Sequence, residues 1–421
     1  MQDAVIICGK LFDGIRPELQ KKQEILIRDG KIAQVAAKVD RPVGCEVIDL
    51  SDATVTPGMI DAHTHLTFFE WSKRRQETLF NSPVNKGMAV LHNAEKALRR
   101  GFTTLRHMGG NCDDGYGALE AKRVIAQGYF KGSRLVVLPY TQCTPGSHGD
   151  FSQMAATNAD LARYLCSSFP CMGTGADFFR DSVRLQVKYG ADFVKIMLGG
   201  GFSTPNDGPA DEQMTDEEMV AIIETAHNLK KKVTAHVYAS SSAVKLAKLG
   251  VDELQHCAML DEEGAAQLEA MGIPVVPTFS PYEEIINPIK ANLDLMEPDS
   301  REKYLSFGPQ LAAGRKVIVN SKLELGYGSD QVTIHRSYEG AYEYRAWLRS
   351  GMDPFRTLMA ATSVNARLLQ LDHLVGTLEP GKVADISAWR RDLLTDPDAL
   401  MDCAFVMKEG RSYRTEPTLV D

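Results

Sequence analysis

The chain has 421 residues, 44% of them hydrophobic and 24% charged, the balance of a globular protein large enough for one big domain and a smaller one. A net charge of −8 argues against a nucleic-acid surface, and no apolar run approaches the length of a membrane span. Eight scattered cysteines, with no Cys-x-x-Cys pair, suit reduced thiols in a cytoplasmic protein better than a disulfide framework.

Residues 1–56 read as short strands and turns. Val5-Ile6-Ile7, Glu24–Arg28, Lys31–Val35 and Val47–Leu50 carry the apolar content, and Asp29-Gly30 forms a turn. No basic segment precedes the first strand, so a secretory leader is not expected. The same texture returns after Gly376, with strands expected at Ala384–Ala388 and Ala404–Gly410. Neither terminal piece can bury a core alone, so the two are expected to pair. Between them apolar runs alternate with helical stretches. The expected strands are Val55–His65, Thr103–His107, Arg134–Tyr140, Phe193–Met197, Val233–Tyr238, Glu253–His256, Pro274–Thr278 and Glu324–Asp330. Helices are expected over Met88–Arg100, Thr215–Lys230, Ala239–Leu249, Asp261–Met271 and Glu339–Ser350, the second opened by a Thr215-x-x-Glu218 capping box. Eight β/α units imply an α/β protein: a (β/α)8 TIM barrel over 57–375, with a small β-sandwich domain from 1–56 plus 376–421. The long stretches 66–85, 141–175, 198–214 and 280–310 read as loops suited to substrate recognition.

In such a barrel the chemistry sits at the C-terminal strand ends. His63 and His65, two apart in one strand, share a face. Lys195, His236, His256 and Asp330 fall at the ends of four further strands. Imidazoles and a carboxylate gathered there make a divalent metal site. Lys195 lies between Val194 and Ile196, where burial favours the neutral amine. That amine can add CO2 to give a carbamate whose two oxygens bridge two cations; an ion pair with a carboxylate such as Asp330 is the alternative.

These residues resemble those of the amidohydrolase superfamily. The resemblance rests on Thr56-Pro57-Gly58-Met59-Ile60-Asp61-Ala62-His63-Thr64-His65, Gly101–Arg106, Lys195, His236, His256, Gly328-Ser329-Asp330 and the closing Gly376–Asp385. It covers essentially the whole chain. The Gly199-Gly200-Gly201 loop, His236-Val237-Tyr238 and Gly146-Ser147-His148-Gly149 resemble the imidazolonepropionase-related branch, which holds Xaa-Pro dipeptidases, Xaa-Arg/Lys carboxypeptidases and ochratoxin-type amidases. The resemblance implies two divalent metals; mixed imidazole and carboxylate ligands suit zinc best, and Mn, Fe or Co would fit too. His63, His65 and Asp330 would hold the more buried one, His236 and His256 the more exposed, with a CO2-derived carbamate on Lys195 and a hydroxide bridging them. It further implies Asp330 as proton shuttle, Tyr238 as donor to the oxyanion and His148 as ligand of the substrate carboxylate or carbonyl. Arg106, at a strand end, and Arg336, six residues after Asp330, are further carboxylate candidates, with a barrel-interior ion pair the alternative for Arg106.

Three departures leave the substrate open: Pro145-Gly146-Ser147 stands where relatives often have two glycines, His107 follows Arg106, and Tyr238 replaces the histidine common in Arg/Lys carboxypeptidases. The expected activity is hydrolysis of the amide of a dipeptide or N-acyl amino acid. The alternatives are cyclic amides, imidazolones or xenobiotic amides and carbamates on the same site, or a non-catalytic scaffold. A small-molecule substrate, no nucleic acid or membrane partner, and a homo-oligomer are expected.

Overall fold

Alternating apolar residues drive both termini into one sheet. In the computed structural model, which describes residues 2–67, 82–110, 116–155, 158–286, 298–330 and 341–413, four strands come from the N-terminal part. They are β1 (Ala4–Leu11), β2 (Gln20–Arg28), β3 (Lys31–Ala36) and β4 (Glu46–Pro57). After the central elements come β12 (Ile386–Trp389), β13 (Cys403–Lys408) and β14 (Arg411–Tyr413). These strands make one seven-stranded sheet in the order β14-β13-β12-β4-β1-β2-β3. The chain ends do pair as expected, through β4 and β12 (Ile386 opposite Pro57), but as one continuous sheet where a two-sheet sandwich was expected. Ile6, Ile25, Val55, Ile386 and Phe405 pack as its core.

The central region is α/β. Gly58 breaks the expected first strand, so its front half belongs to β4 and its rear half is β5 (Met59–Thr64). β5 pairs in parallel with β6 (Phe102–His107), and β6 with β7 (Arg134–Val137). A second parallel sheet runs β8 (Val194–Met197), β9 (Val233–Ala239), β10 (Glu253–Met259), β11 (Val275–Val276). The two sheets are separate arcs tied by a few backbone bonds. Gln142 donates its N–H to Lys195 O (2.8 Å), Gly326 to Val275 O (2.9 Å) and Ala62 to Tyr327 O (2.9 Å). Residues 324–330, expected as an eighth strand, contribute one parallel bridge, Leu325 to Val275.

The helices follow the sequence signals closely. The capping box opens Asp216–Asn228, with Glu218 N–H on Thr215 Oγ1 and Thr215 N–H on Glu218 Oε2. The main departure is 280–310. It contains the helices Ser280–Ile286 and Pro298–Asn320. Gly308-Pro309 disguises the second, since a proline inside a helix is normally a break. Its buried Tyr304, Leu311, Arg315 and Ile318 nevertheless keep helical spacing. No helix among the described residues is long and apolar enough to cross a membrane.

Gly101 joins the arcs to the terminal sheet. It has φ +90°, its carbonyl accepts from Met59 N and Ser387 Oγ, and a Cβ there would lie 2.4 Å from the Trp389 ring. Gly101→Ala combines a left-handed backbone with a ring clash, and a loss of about 2 kcal/mol or more is expected. Urea unfolding checks this; wild-type stability would mean that Trp389 has room to move.

Candidate active site

β5, β8, β9 and β10 each deliver side chains to one cavity. His63, His65, Lys195, His236, His256 and Asp330 all line it, together with Tyr238 and His148. Ligand atoms of His63, His65 and Asp330 lie within 4.8 Å of one another. Asp330 Oδ1 is 3.5 Å from His63 Nε2 and 3.4 Å from His65 Nε2, and its Oδ2 is 4.0 Å from His256 Nδ1. The rings of His236 and His256 are 4.6 Å apart, those of His63 and His256 5.0 Å.

The proton on each ring follows from its partners. Gln255 Nε2 donates to the Glu253 carboxylate and to Thr234 Oγ1 (2.7 Å), so its Oε1 faces His63 Nδ1 at 2.6 Å. His63 therefore donates from Nδ1 and turns the lone pair of Nε2 toward Asp330. His65 donates from Nδ1 to Gly109 O (2.9 Å), which leaves its Nε2 likewise bare. His236 uses the opposite atom: Nε2 faces Gly200 O at 3.3 Å, leaving Nδ1 free. Such outer partners are those that orient metal-binding imidazoles. His63 Nε2 is itself a buried nitrogen with no hydrogen-bond partner, a costly arrangement. A divalent cation between these lone pairs and the Asp330 carboxylate removes that cost, so the residues fit a metal.

Burial sets the charge states. It drives His63 and His236 well below the usual imidazole range and His256 down to about 3. Burial alone would raise Asp330, but His63, His65 and His256 hold it well below the carboxylate range. Lys195, 2% exposed, is lowered to about 8 by burial, against the pull of Asp330; its side chain makes no hydrogen bond among the described residues. Tyr238 is pushed well above the usual phenol range by burial, and its hydroxyl lies 2.7 Å from that of Tyr282. The backbone is strained here, with φ of 67° at His256, 47° at Thr278 and 45° at Asp330, a concentration typical of functional sites.

Not every expected residue joins the site. Arg106 is in the interior ion pair, with its Nη2 on Glu253 and its Nη1 3.1 Å from the second carboxylate oxygen, while Nε donates to Ala62 O (2.6 Å). It does not line the cavity. Arg336 lies outside the described residues. The sequence reading missed Gln255, Thr278 (2.7 Å from His256 Nδ1) and the aromatic wall of Phe202, Tyr282 and Tyr304. Glu253 and Gln255 carried a signal: two polar residues on one face of an otherwise apolar strand, which need buried partners.

Residues 54–412 match the amidohydrolase family. The ochratoxinase of Aspergillus niger is 25% identical over 97% of this chain and 86% of that protein. The imidazolonepropionase of Geobacillus kaustophilus is 24% identical over 82% of this chain and 77% of its own. Among solved structures, a Xaa-Pro dipeptidase with methionine bound in its active site superposes with TM-score 0.86 at 25% identity, covering 98% of this chain and all of that one.

Removing one partner of a buried ion pair leaves the other charge stranded. Arg106→Met is therefore expected to lose about 3 kcal/mol or more, read from urea unfolding at neutral pH. Unchanged stability with weakened substrate binding would instead return Arg106 to the carboxylate-binding role.

Proposed function

Since the chain belongs to the amidohydrolase family and is a hydrolase of amide C–N bonds, we propose that it cleaves dipeptides or N-acyl amino acids with two divalent metals, most suitably zinc. The observation that carries this reading is the His63–His65–Asp330 cluster with its unpartnered nitrogen, opening into a cavity walled by Tyr238, Tyr282 and Phe202. We read the two arcs as the (β/α)8 barrel of residues 57–375, and the terminal strands as a domain of 1–56 plus 376–421.

In this reading His63, His65 and Asp330 would hold one metal and His236 and His256 the other. The neutral Lys195 amine would add CO2, giving a carbamate and releasing a proton, and as a carbamate Lys195 would supply a further anionic ligand to the metals. Bound metal supplies Lewis acidity to the scissile carbonyl and lowers the pKa of water. Asp330 accepts the proton of the attacking water on a carboxylate oxygen and returns it to the departing nitrogen, because an amine leaves only when protonated. Tyr238 keeps its phenol proton and donates a hydrogen bond to the carbonyl oxygen as charge develops there. Phe202, Tyr282 and Tyr304 keep bulk water from the reacting atoms. A second reading, cyclic or xenobiotic amides without a free carboxylate, is favoured by one observation. Among the described cavity-lining residues Lys195 is the only lysine or arginine.

The experiment is amine release from a library of dipeptides and N-acyl amino acids by zinc-loaded protein in bicarbonate. Turnover confined to substrates with a single C-terminal residue is expected; silence there with turnover of cyclic amides moves the assignment to the second reading. Lys195→Ala is expected to lose metal and activity together and to regain part of both with a short carboxylic acid. Full activity in that variant removes the bridging role.

A further inference from the structure

Phe202 stands at the centre of the aromatic wall. Its ring stacks on Tyr304, with centroids 4.7 Å apart at 3°. It meets the rings of Tyr238 and Tyr282 at 5.2 and 5.8 Å, and that of Phe307 at 6.3 Å. Phe202 lines the cavity that the histidines and Asp330 also line.

The loop that carries Phe202 is tightly supported. A Cβ on Gly200 would lie 2.1 Å from Gly208 O, so the backbone doubles back closely on itself. The Asp207 side chain, 2% exposed, sits inside that turn. Its Oδ2 accepts from Gly201 N–H (3.0 Å) and Thr204 Oγ1 (2.7 Å), and its Oδ1 from Lys303 Nζ (2.6 Å). Lys303 also donates to Gly201 O (3.0 Å) and Thr204 O (2.5 Å). The residues flanking Phe202 and Ser203 are therefore tied to one ammonium. Lys303 and Tyr304 are neighbours in the helix Pro298–Asn320, so one helical turn grips the loop backbone and stacks on the ring it presents. Neither Asp207 nor Lys303 lines the cavity. Ions held this far from water lose hydration, and what the pair fixes is the place of the ring between its two anchors.

The wall is continuous with the histidine cluster. Tyr238 stacks on His256 (5.3 Å, 25°) and meets Phe202 edge to face (80°). Phe202 thus stands two ring contacts from His256, within reach of a group carried next to an amide held there. A saturated group at this wall gains area burial alone. An aromatic ring gains in addition the edge-to-face contacts that such walls offer.

We propose that Phe202 is a specificity-determining residue that selects amides bearing an aromatic ring one or two bonds from the scissile group, and that Lys303 and Asp207 are positioning residues that hold it. This rests on the amide-hydrolase reading and narrows its substrate class.

The test measures kcat/KM of zinc-loaded protein on two pairs of amides matched in bulk. One pair is N-phenylacetyl-alanine and N-cyclohexylacetyl-alanine; the other is N-acetyl-phenylalanine and N-acetyl-cyclohexylalanine. The aromatic member is expected to be favoured about fivefold or more in at least one pair, and Phe202→Leu to bring that ratio close to one. Equal turnover within both pairs, or a ratio that Phe202→Leu leaves in place, overturns the proposal. Lys303→Met is expected to raise KM for the favoured aromatic substrate more than for its cyclohexyl partner. A purely structural role would reduce the active fraction and move both alike, and that result removes the positioning role. Lys303→Arg, which keeps the charge but changes the reach to both carbonyls, makes the same comparison if Lys303→Met does not fold. Calorimetry with ketomethylene analogues of the first pair, CH2 replacing the amide N–H, separates this proposal from the hydrolase reading. Tighter binding of the phenyl analogue without turnover of any amide defeats the hydrolase reading alone; amide turnover without ring preference defeats the present proposal alone.

Discussion

Burial of the side chains at the strand ends is the constraint on which the rest of this structure depends. Three imidazoles that line the cavity (His63, His236 and His256) are kept neutral by burial, and Lys195 is brought within reach of its free amine at about 8. Asp330 alone stays firmly ionised. Such a set has many lone pairs, one negative charge and few protons to share. It is a poor hydrogen-bonding network and a good ligand set, because the missing partner is a cation. The same burial strengthens every charge interaction that the chemistry would use.

Orientation comes from the next ring of contacts. Each imidazole spends one nitrogen on a fixed acceptor: Gln255 for His63, the Gly109 carbonyl for His65, the Gly200 carbonyl for His236. The tautomers follow without any choice left to solvent. The left-handed backbone at His256, Thr278 and Asp330 carries a conformational cost of about 1–3 kcal/mol per residue. It is borne where the strands end and the side chains must swing into the cavity rather than continue the in-and-out alternation of a ladder.

That alternation explains how much was legible in the sequence. His63, His65, Lys195 and His236 were readable because ligand-type residues stood at the ends of apolar runs, and a strand end has only two directions to point. The paired termini were readable because neither half could bury its own face. The site's supports were not. Gln255 contacts a histidine 192 residues away and Glu253 an arginine 147 residues away, and no local pattern encodes such a meeting. The helix Pro298–Asn320, which brings Lys303 and Tyr304, was hidden by Gly308-Pro309, a breaker signal that tertiary packing overrode. Arg106 was misleading for the opposite reason: a strand-end arginine looks the same in sequence whether it meets a substrate or a glutamate.

The Arg106–Glu253 pair shows why a charged pair stands in the interior at all. Apolar residues of similar volume would often serve stability as well or better, since two buried ions must first lose their hydration. Glu253, however, has a second task. Its carboxylate accepts from Gln255 Nε2, and that bond decides which end of the Gln255 amide meets His63. Reverse the amide and His63 Nδ1 would face a donor, its proton would move to Nε2, and the lone pair now aimed at Asp330 would be lost. An acceptor is needed at Glu253, and Arg106 holds that carboxylate in place through both Nη atoms. Through four residues the interior thus fixes the position of one proton on His63, and the ion pair is understood better as part of the site's geometry than as a contribution to the stability of the core.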